Sequence, residues 1–539
     1  MPFRLPLPRA FLPLRHPTFR MLWLATLASN IGGWMQNTGA GWLMTSLDPA
    51  PLMVSLVQAA SMLPVFLLAL PAGALADIID RRVFLISAQV WILVMALILA
   101  ALTMSGVIGA WGLLALTFAI GAGSAMNFPA WAATTNELVP REDLVGAIAL
   151  NGIGFNLARA LGPAFGGFAI AAAGPEAAFV MNAVAFLVLI VALIFWRRPA
   201  EARGRVPKEH LVSAMRAGVR FVSASPAMRA AIIRACTFFL FSAAVWGLLP
   251  LFVRHQLGLG PEAFGLMLGC MGGAAVAAGF ALPALRGRLD RSGTVFWASL
   301  GICVAMAILA ASTHWAPAVL GMLVYGASWI AAGSTLSAAA QLAAPGWVRA
   351  RAIAIYQLSF FGVMALGSAL AGWVGGTFGV PLALGGAAAM GAVAAFAVRG
   401  WRIDSVALAP TPSATAAPLA EPKPEAPAQE LRGLLGEHSG RVLEVVRYQI
   451  DPTERAGFLA AMQEVRRVRL RSGAVSWRLY EDVAHPDRWV ELWAVESWTD
   501  HLREEARRTE WDRAALGRAA ALHRGGDPPE AARFLNVVP

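Results

Sequence analysis

The chain has 539 residues, 58% of them hydrophobic and 14% charged, with a mean hydropathy of +0.61. Soluble proteins carry about 25% charged residues, so a water-soluble enzyme of this length is excluded and most of the chain is expected to sit in lipid. The formal net charge of +11 could point to nucleic acid, but the basic residues stand in short loops beside apolar helices, where orientation in a membrane accounts for them better.

The segment 1–20 has a basic flank, yet the apolar run behind it is long and many more follow, so it reads as an uncleaved first helix and not a secretory signal. Apolar stretches of about 20 residues, each sufficient to cross about 30 Å of hydrocarbon, predict twelve transmembrane helices. The first six are placed at 18–44, 52–75, 83–105, 110–133, 146–173 and 177–196, the second six at 232–254, 262–285, 293–313, 316–341, 350–377 and 379–398. The fold class is thus an all-α polytopic membrane protein of two six-helix halves, 1–196 and 232–405, joined by a central loop at 197–231. Within that loop 211–223 is amphipathic and is expected to lie on the membrane surface. A Pro/Ala-rich linker, 406–440, cannot pack a core, and 441–539 reads as a small soluble domain. Cys236, Cys270 and Cys303 fall within apolar helices without metal-ligand or redox spacing, and are expected in the core.

With the N-terminus in the cytoplasm, Arg4, Arg9, Arg15, Arg81, Arg82, Arg141, the central segment, Arg286, Arg288, Arg291, Arg349, Arg351, Arg399 and Arg402 all share its side, against Arg254 alone in the outer loops. That imbalance predicts an even number of spans, both termini in the cytoplasm and a multi-pass protein of the inner (plasma) membrane. The halves also repeat. Segments 140–167 and 345–372 align without a gap, matching Pro140 with Pro345, Ala160 with Ala365, Leu161 with Leu366, Gly162 with Gly367 and Gly167 with Gly372. Parallel repeats with a cavity between them form a transporter architecture.

Between helices 2 and 3 stands Gly73-Ala-Leu-Ala-Asp77-Ile-Ile-Asp80-Arg81-Arg82. It resembles the cytoplasmic signature of the major facilitator superfamily, G-x-x-x-D-R-x-G-R-R/K, matching at Gly73, Asp77, Arg81 and Arg82 and departing at Ile78 and Asp80. The resemblance implies a gate in which Gly73 allows close helix approach and Asp77 caps a helix or pairs with an Arg across the cytoplasmic seam; an ordinary charged loop end is the alternative. A weaker echo, Gly279 to Arg288, occupies the same place in the second half. Helix 5 ends in Gly162-Pro163-Ala-Phe-Gly166-Gly167, which resembles the end of the drug/proton antiporter signature, G-P-x-x-G-G. That implies protons as coupling ion, with packing glycines as the other reading. The string from Asn127-Phe-Pro129-Ala-Trp131 through Glu142 to Pro163 is similar to the branch of enterobactin exporters and macrolide-type efflux pumps, which implies export of a small amphiphilic molecule, drug-like or siderophore-like.

Arg159 is a charge deep in an apolar span, where it must face a partner or a watery cavity. It either attracts an anionic substrate group or bonds to carbonyls and Asn156 at the gate. Asn30, Trp34, Gln36 and Asn37 in helix 1, with Tyr356 and Gln357 in helix 11, form a polar and aromatic candidate face for an amphiphilic ligand; bonding between helices would use the same side chains. No Asp or Glu lies mid-span in helix 1, 4, 7 or 10, so the titrating group of a proton cycle is not legible. A G-x-x-x-x-G-K-[ST] phosphate loop is absent, which argues against an ATP-driven pump.

Beyond the linker, alternation in 442–450 and 489–495 predicts strands, in the order strand, helix, strand, strand, two helical runs and a final strand. That order resembles the ferredoxin-like, dimeric α+β barrel family that includes antibiotic-biosynthesis monooxygenases, which implies dimerisation through this domain. Trp477, Trp489, Trp493, Trp498 and Trp511 are expected mainly in its core or interface, and His485, His501 and His523 are too far apart in sequence to mark a metal site. The chain is therefore read as a secondary transporter, not an enzyme, without cofactor, catalytic or metal residues. Its partners are the bilayer and a small molecule, with no nucleic acid. The alternative is a membrane-tethered enzyme whose tail oxidises an aromatic compound.

Overall fold

The computed structural model describes residues 9–140, 142–196, 211–286, 288–345, 348–403, 441–498, 501–502, 504, 510–524 and 528–536. Two compact units divide the chain. The first comprises Met1–Pro207, Ala231–Ala338 and Tyr356–Arg402, the second Lys208–Ala230, Ala339–Ile355 and Ile403–Pro539.

The expected linker, 406–440, lies outside the described residues. Among those described before it are thirteen α-helices: α1 (Pro17–Leu47), α2 (Pro51–Ile78), α3 (Arg81–Met104), α4 (Ala110–Leu138), α5 (Leu144–Ala173), α6 (Pro175–Phe195), α7 (Leu211–Ala224), α8 (Pro226–Leu251), α9 (Pro261–Arg286), α10 (Arg291–Ala311), α11 (Trp315–Ala343), α12 (Arg349–Phe378) and α13 (Val380–Ala397). Proline opens α1, α2, α6, α8 and α9, where its fixed φ suits the first turn and its missing N–H costs nothing. Among the described residues, ten helices are long and apolar enough to cross a membrane. α1, with 31 residues, lies outside that set because Asn30, Gln36 and Asn37 dilute its apolar content, and the described residues of α5, a helix of 30, hold no such stretch.

In the first unit, Leu43, Met44, Val54, Val57, Ile92, Leu99, Leu113 and Phe179 form a core shared by α1, α2, α3, α4 and α6. Large apolar side chains such as Phe195, Phe280, Trp297 and Val393 remain exposed, as a lipid-facing surface requires. The two halves cap corresponding helices alike. Asp80 accepts from the backbone N–H of Arg82 at 3.0 Å and of Val83 at 3.2 Å at the start of α3, and Asp290 accepts from Gly293 at 2.7 Å at the start of α10. Asp80, which departs from the family signature, is thus a helix cap.

The second unit holds a four-stranded antiparallel sheet in the order β2-β3-β1-β4, from β1 (Val442–Gln449), β2 (Ser476–Glu481), β3 (Arg488–Val495) and β4 (Glu530–Leu535). α14 (Arg455–Ser472) follows β1, and α15 (Glu510–Ala520) precedes β4. Val446, Tyr448, Trp489 and Trp493 of the sheet pack on Phe458, Met462 and Val465 of α14 and Leu516 of α15. Trp489 and Trp493 are therefore core side chains. The expected helical run at 498–508 falls largely outside the described residues, as does the side chain of Trp511.

Sequence periodicity places α7 on a lipid surface; in the structure part of it also contacts protein. Gly218 packs against Arg351 and Ile355 at the start of α12, Phe221 is fully buried, and Arg220 Nη1 donates to Glu496 Oε1 at 2.9 Å. α7 also packs along α14. Of its described apolar side chains, Phe221 is buried against protein and Val219 is 59% exposed.

Candidate transport site

The starts of α1, α3 and α5 pack with the ends of α4 and α6 at one end of the first unit, the near end, while the starts of α2 and α9 meet the ends of other helices at the far end. The His16 ring and the Asp143 carboxylate, at the starts of α1 and α5, lie 2.8 Å apart at the near end. A cavity of about 500 Å³ opens among the near-end portions of α1, α4 and α5, lined by Trp23, Thr26, Asn30, Asn127, Trp131, Thr135, Asn151 and Phe155, with Leu189 of α6 behind them. Its volume lies in the range of small-molecule sites. The spacings explain the convergence: 127, 131 and 135 on α4, and 151 and 155 on α5, recur every four residues and so share a helix face.

Beyond the cavity an aromatic chain crosses from the first half to the second. Ring centroids of Phe155 and Trp34 are 6.4 Å apart, Trp34 and Trp246 5.8 Å, Trp246 and Trp329 5.7 Å, Trp329 and Phe239 5.1 Å, and Phe239 and Phe360 4.6 Å. Such offset and edge contacts suit aromatic ligands as well as one another. Arg159 lies one turn beyond Phe155 on α5. It is 9% exposed, its Nε has no hydrogen-bond partner, and its electrostatic neighbour is Tyr325, whose hydroxyl donates to the Ser242 carbonyl at 2.8 Å.

The far end is shut. Gly167 of α5 meets Pro261 and Gly265 of α9 so closely that a Cβ at 167 would lie 2.6 Å from the Pro261 carbonyl oxygen. Trp42 stacks on Phe264 at 6.0 Å, and Arg254 lies over Trp42 while donating to Thr45 Oγ1 at 2.8 Å and to the Ser46 hydroxyl. A small pocket of about 40 Å³ lies here beside Trp34, Asn37 and Trp246. The glycines matched by the repeat make matching contacts. Gly162 packs on Trp34 of α1, the first helix of its half, and Gly367 on Leu240 of α8, the first helix of the other; Gly167 joins α5 to α9 and Gly372 joins α12 to Ser55 of α2, both across the halves. The repeat is therefore one of contacts as well as of letters.

A model of the family described as transmembrane secretion effector matches residues 9–538. The chain belongs to this family of the major facilitator superfamily. The uncharacterised MFS-type transporter YfiS of Bacillus subtilis (strain 168) is 26% identical over 303 residues, 55% of this chain and 69% of the relative. Among solved structures, a bacterial homologue of the human lysosomal transporter Spinster, inward-facing and unoccupied, has a TM-score of 0.55 at 13% identity, covering 73% of this chain and 96% of its own. A POT family transporter in complex with a thioalcohol-conjugated peptide has 0.59 at 12%, covering 70% and 95%. These identities show the fold alone. Family and relatives are transporters, so this member of the major facilitator superfamily is a transporter and not an enzyme.

Of the residues predicted to bind substrate in this transporter, Asn30 lines the large cavity, while Trp34 and Asn37 line the small one. Gln36 lines neither and accepts a hydrogen bond from Asn182 of α6, a tie between helices. Tyr356 is buried in α12, and Gln357 follows it; neither lines these cavities. Gly73 and Asp77 lie in α2 and Arg81 opens α3, but their side chains are outside the described set. Arg82 donates to the Leu193 carbonyl at 3.1 Å and the Ile194 carbonyl at 2.5 Å, closing the C-terminus of α6. Pro163 sits inside α5, and Gly166 packs on Met35. Sequence reasoning did not single out Trp23, Thr26, Thr135 and Asn151, or Arg254 as a tie between the halves; the four-residue recurrence on α4 and α5 is the signal that would have found the cavity wall.

In the tail, separation in sequence also concealed a meeting. Glu444, His501 and Glu504 bring their ligand atoms within 4.8 Å of one another. These groups are paired internally: His501 Nδ1 lies 2.5 Å from Glu444 Oε1, and Glu504 receives Arg469 at 3.4 Å and the Trp493 N–H at 3.2 Å.

Proposed function

We propose that the chain exports small amphiphilic molecules, drug-like or siderophore-like, by alternating access. The observation that carries this reading is the pairing of a shut far end with a cavity of about 500 Å³ at the near end, one of the two states an exporter must visit. The twelve helices other than α7 all span the membrane in this reading, α1 and α5 included, because helices that wall a polar path are the ones expected to carry Asn and Arg. Both termini and the central segment face the cytoplasm of a cell whose inner membrane holds the protein, so the structure is the inward-open state. Proton antiport is supported by the Gly162 to Gly167 signature. The order strand, helix, two strands, helix, strand with sheet order β2-β3-β1-β4 supports a ferredoxin-like tail at 441–539, and its role is to bind, regulate or dimerise.

Two experiments test this. Single cysteines near Gly109, Gly174 or His314 are expected to react with an impermeant thiol reagent added outside cells, whereas cysteines near Arg205 or Ala414 stay unlabelled; the reverse pattern rejects the orientation. In inside-out vesicles, Arg159→Ala is expected to lower uptake of an exported dye at least about tenfold and Arg159→Lys by less, because an unpaired buried cation at the end of the cavity contributes through its charge. Equal uptake by the two variants would remove the charge from the mechanism.

A further inference from the structure

The cavity has a chemistry of its own that amphiphilic export does not specify. Among the described residues, none that lines it is ionisable. Several of its polar atoms are already engaged: the Trp23 N–H donates to the Leu150 carbonyl at 3.1 Å, and Asn151 Nδ2 to Thr135 Oγ1 at 3.1 Å. Two are not. Thr26 Oγ1 and Asn127 Oδ1 are buried without a hydrogen-bond partner, and both belong to the cavity wall, beside the indole of Trp131. Buried polar atoms are rarely left unpaired, and an unpaired one at a site needs an explanation.

We infer that this cavity selects an uncharged aromatic group carrying a hydrogen-bond donor, such as a phenolic O–H. Both atoms are covered by protein in this state, so the ligand would turn the two side chains toward it: a donor hydrogen would then satisfy the Asn127 carbonyl oxygen, the Thr26 hydroxyl would take up the ligand oxygen or a second donor, and the indoles of Trp23 and Trp131 would take the ring. A charged group is disfavoured, because among the described residues the wall offers no countercharge to replace lost hydration. Arg159 does not change this. It stands one turn past Phe155, about 6 Å further along α5, and does not line the cavity, so it meets the molecule at a later position on the path. The inference rests on the exporter reading for calling the ligand a substrate, though not for the binding chemistry.

The test is equilibrium titration of the purified full chain in lipid nanodiscs with three probes of one shape: 2-naphthol, its methyl ether 2-methoxynaphthalene and the anion 2-naphthoate. At pH 7 the first two are uncharged and only 2-naphthol can donate. 2-Naphthol is expected to bind about tenfold more tightly than the ether, the scale of one hydrogen bond to a site that is otherwise unpaired. Thr26→Val, nearly isosteric, and Asn127→Ala are each expected to bring that preference close to one while leaving the affinity for the ether within about twofold. Should Asn127→Ala fail to fold, the Thr26→Val titration decides alone. Equal binding of 2-naphthol and its ether to the unsubstituted chain would overturn the inference, as would 2-naphthoate binding more tightly than 2-naphthol in a manner sensitive to Thr26→Val. Because binding is read without transport, the two readings fail separately. A retained donor preference in a chain that moves nothing rejects only the exporter, and a lost preference in a chain that still pumps rejects only this selectivity.

Discussion

Gly167→Val is expected to lower transport at least about tenfold, while Gly376→Ala leaves it unchanged. A Cβ at 167 would stand 2.6 Å from the Pro261 carbonyl oxygen and 2.8 Å from the Gly265 Cα, whereas nothing lies within 4 Å of one at 376. Carbon contacts settle near 3.5–4.0 Å, and both obstructing atoms are backbone, so no rotamer change relieves the clash. α5 and α9 must separate by roughly 1 Å. Closure at the far end depends on that approach, because Trp42 on Phe264 and Arg254 on Thr45 bridge the same two halves. The variant should therefore be held open at the far end. A cysteine placed at Phe264 would then react with an impermeant thiol reagent from outside about tenfold faster in the Gly167→Val background. Unchanged transport and unchanged labelling would show that the seam is not a gate.

How much of this was legible in the sequence follows from the range of the interactions involved. The helices of the membrane unit were, since apolar length and the flanking prolines are local signals, and the repeat foretold which glycines would be equivalent. It did not foretell what they touch. Gly162 and Gly367 serve contacts within a half while Gly167 and Gly372 serve contacts across halves, and only the packing of α5 and α12 separates those roles. Gln36 and Asn30 illustrate the same limit. Six residues apart on α1, they look alike as polar side chains in an apolar span, yet one is spent on Asn182 and the other faces the cavity, because the helix turns each toward a different neighbour. Arg254 looked like a lone outer charge and is instead a hydrogen-bonded tie between α1 and the end of α8.

The largest stability effect is expected at Arg469 in the tail. This guanidinium is 4% exposed, and it donates through Nε to Glu491 Oε1 at 3.1 Å and through Nη1 to Glu504 Oε1 at 3.4 Å, with its carbon 3.6 Å from the Trp493 ring centroid. Glu491 also receives the Trp477 N–H at 3.0 Å and the Tyr448 hydroxyl at 3.0 Å. Burial works against a charge at Arg469, but Glu491 and then Glu504 outweigh it and hold the proton more firmly than in water; burial and Glu491 push the Tyr448 phenol well above its ordinary range. Tyr448 thus stays a neutral donor, and Arg469 is the cation set between two buried carboxylates. Arg469→Ala would leave both without it, which costs about 3–5 kcal/mol for a broken buried pair. Arg447→Ala, which removes the exposed pair with Glu530 at 2.9 Å, should cost about 0–1 kcal/mol. Amide hydrogen exchange on the full chain reads both. Protection of 442–449 and 488–495 should fall roughly 10² to 10³-fold in Arg469→Ala and by less than about fivefold in Arg447→Ala, with the membrane helices unaffected in each. A loss at Arg469 no larger than that at Arg447 would mean that the buried carboxylates find other partners and that the network does not hold the sheet to α14.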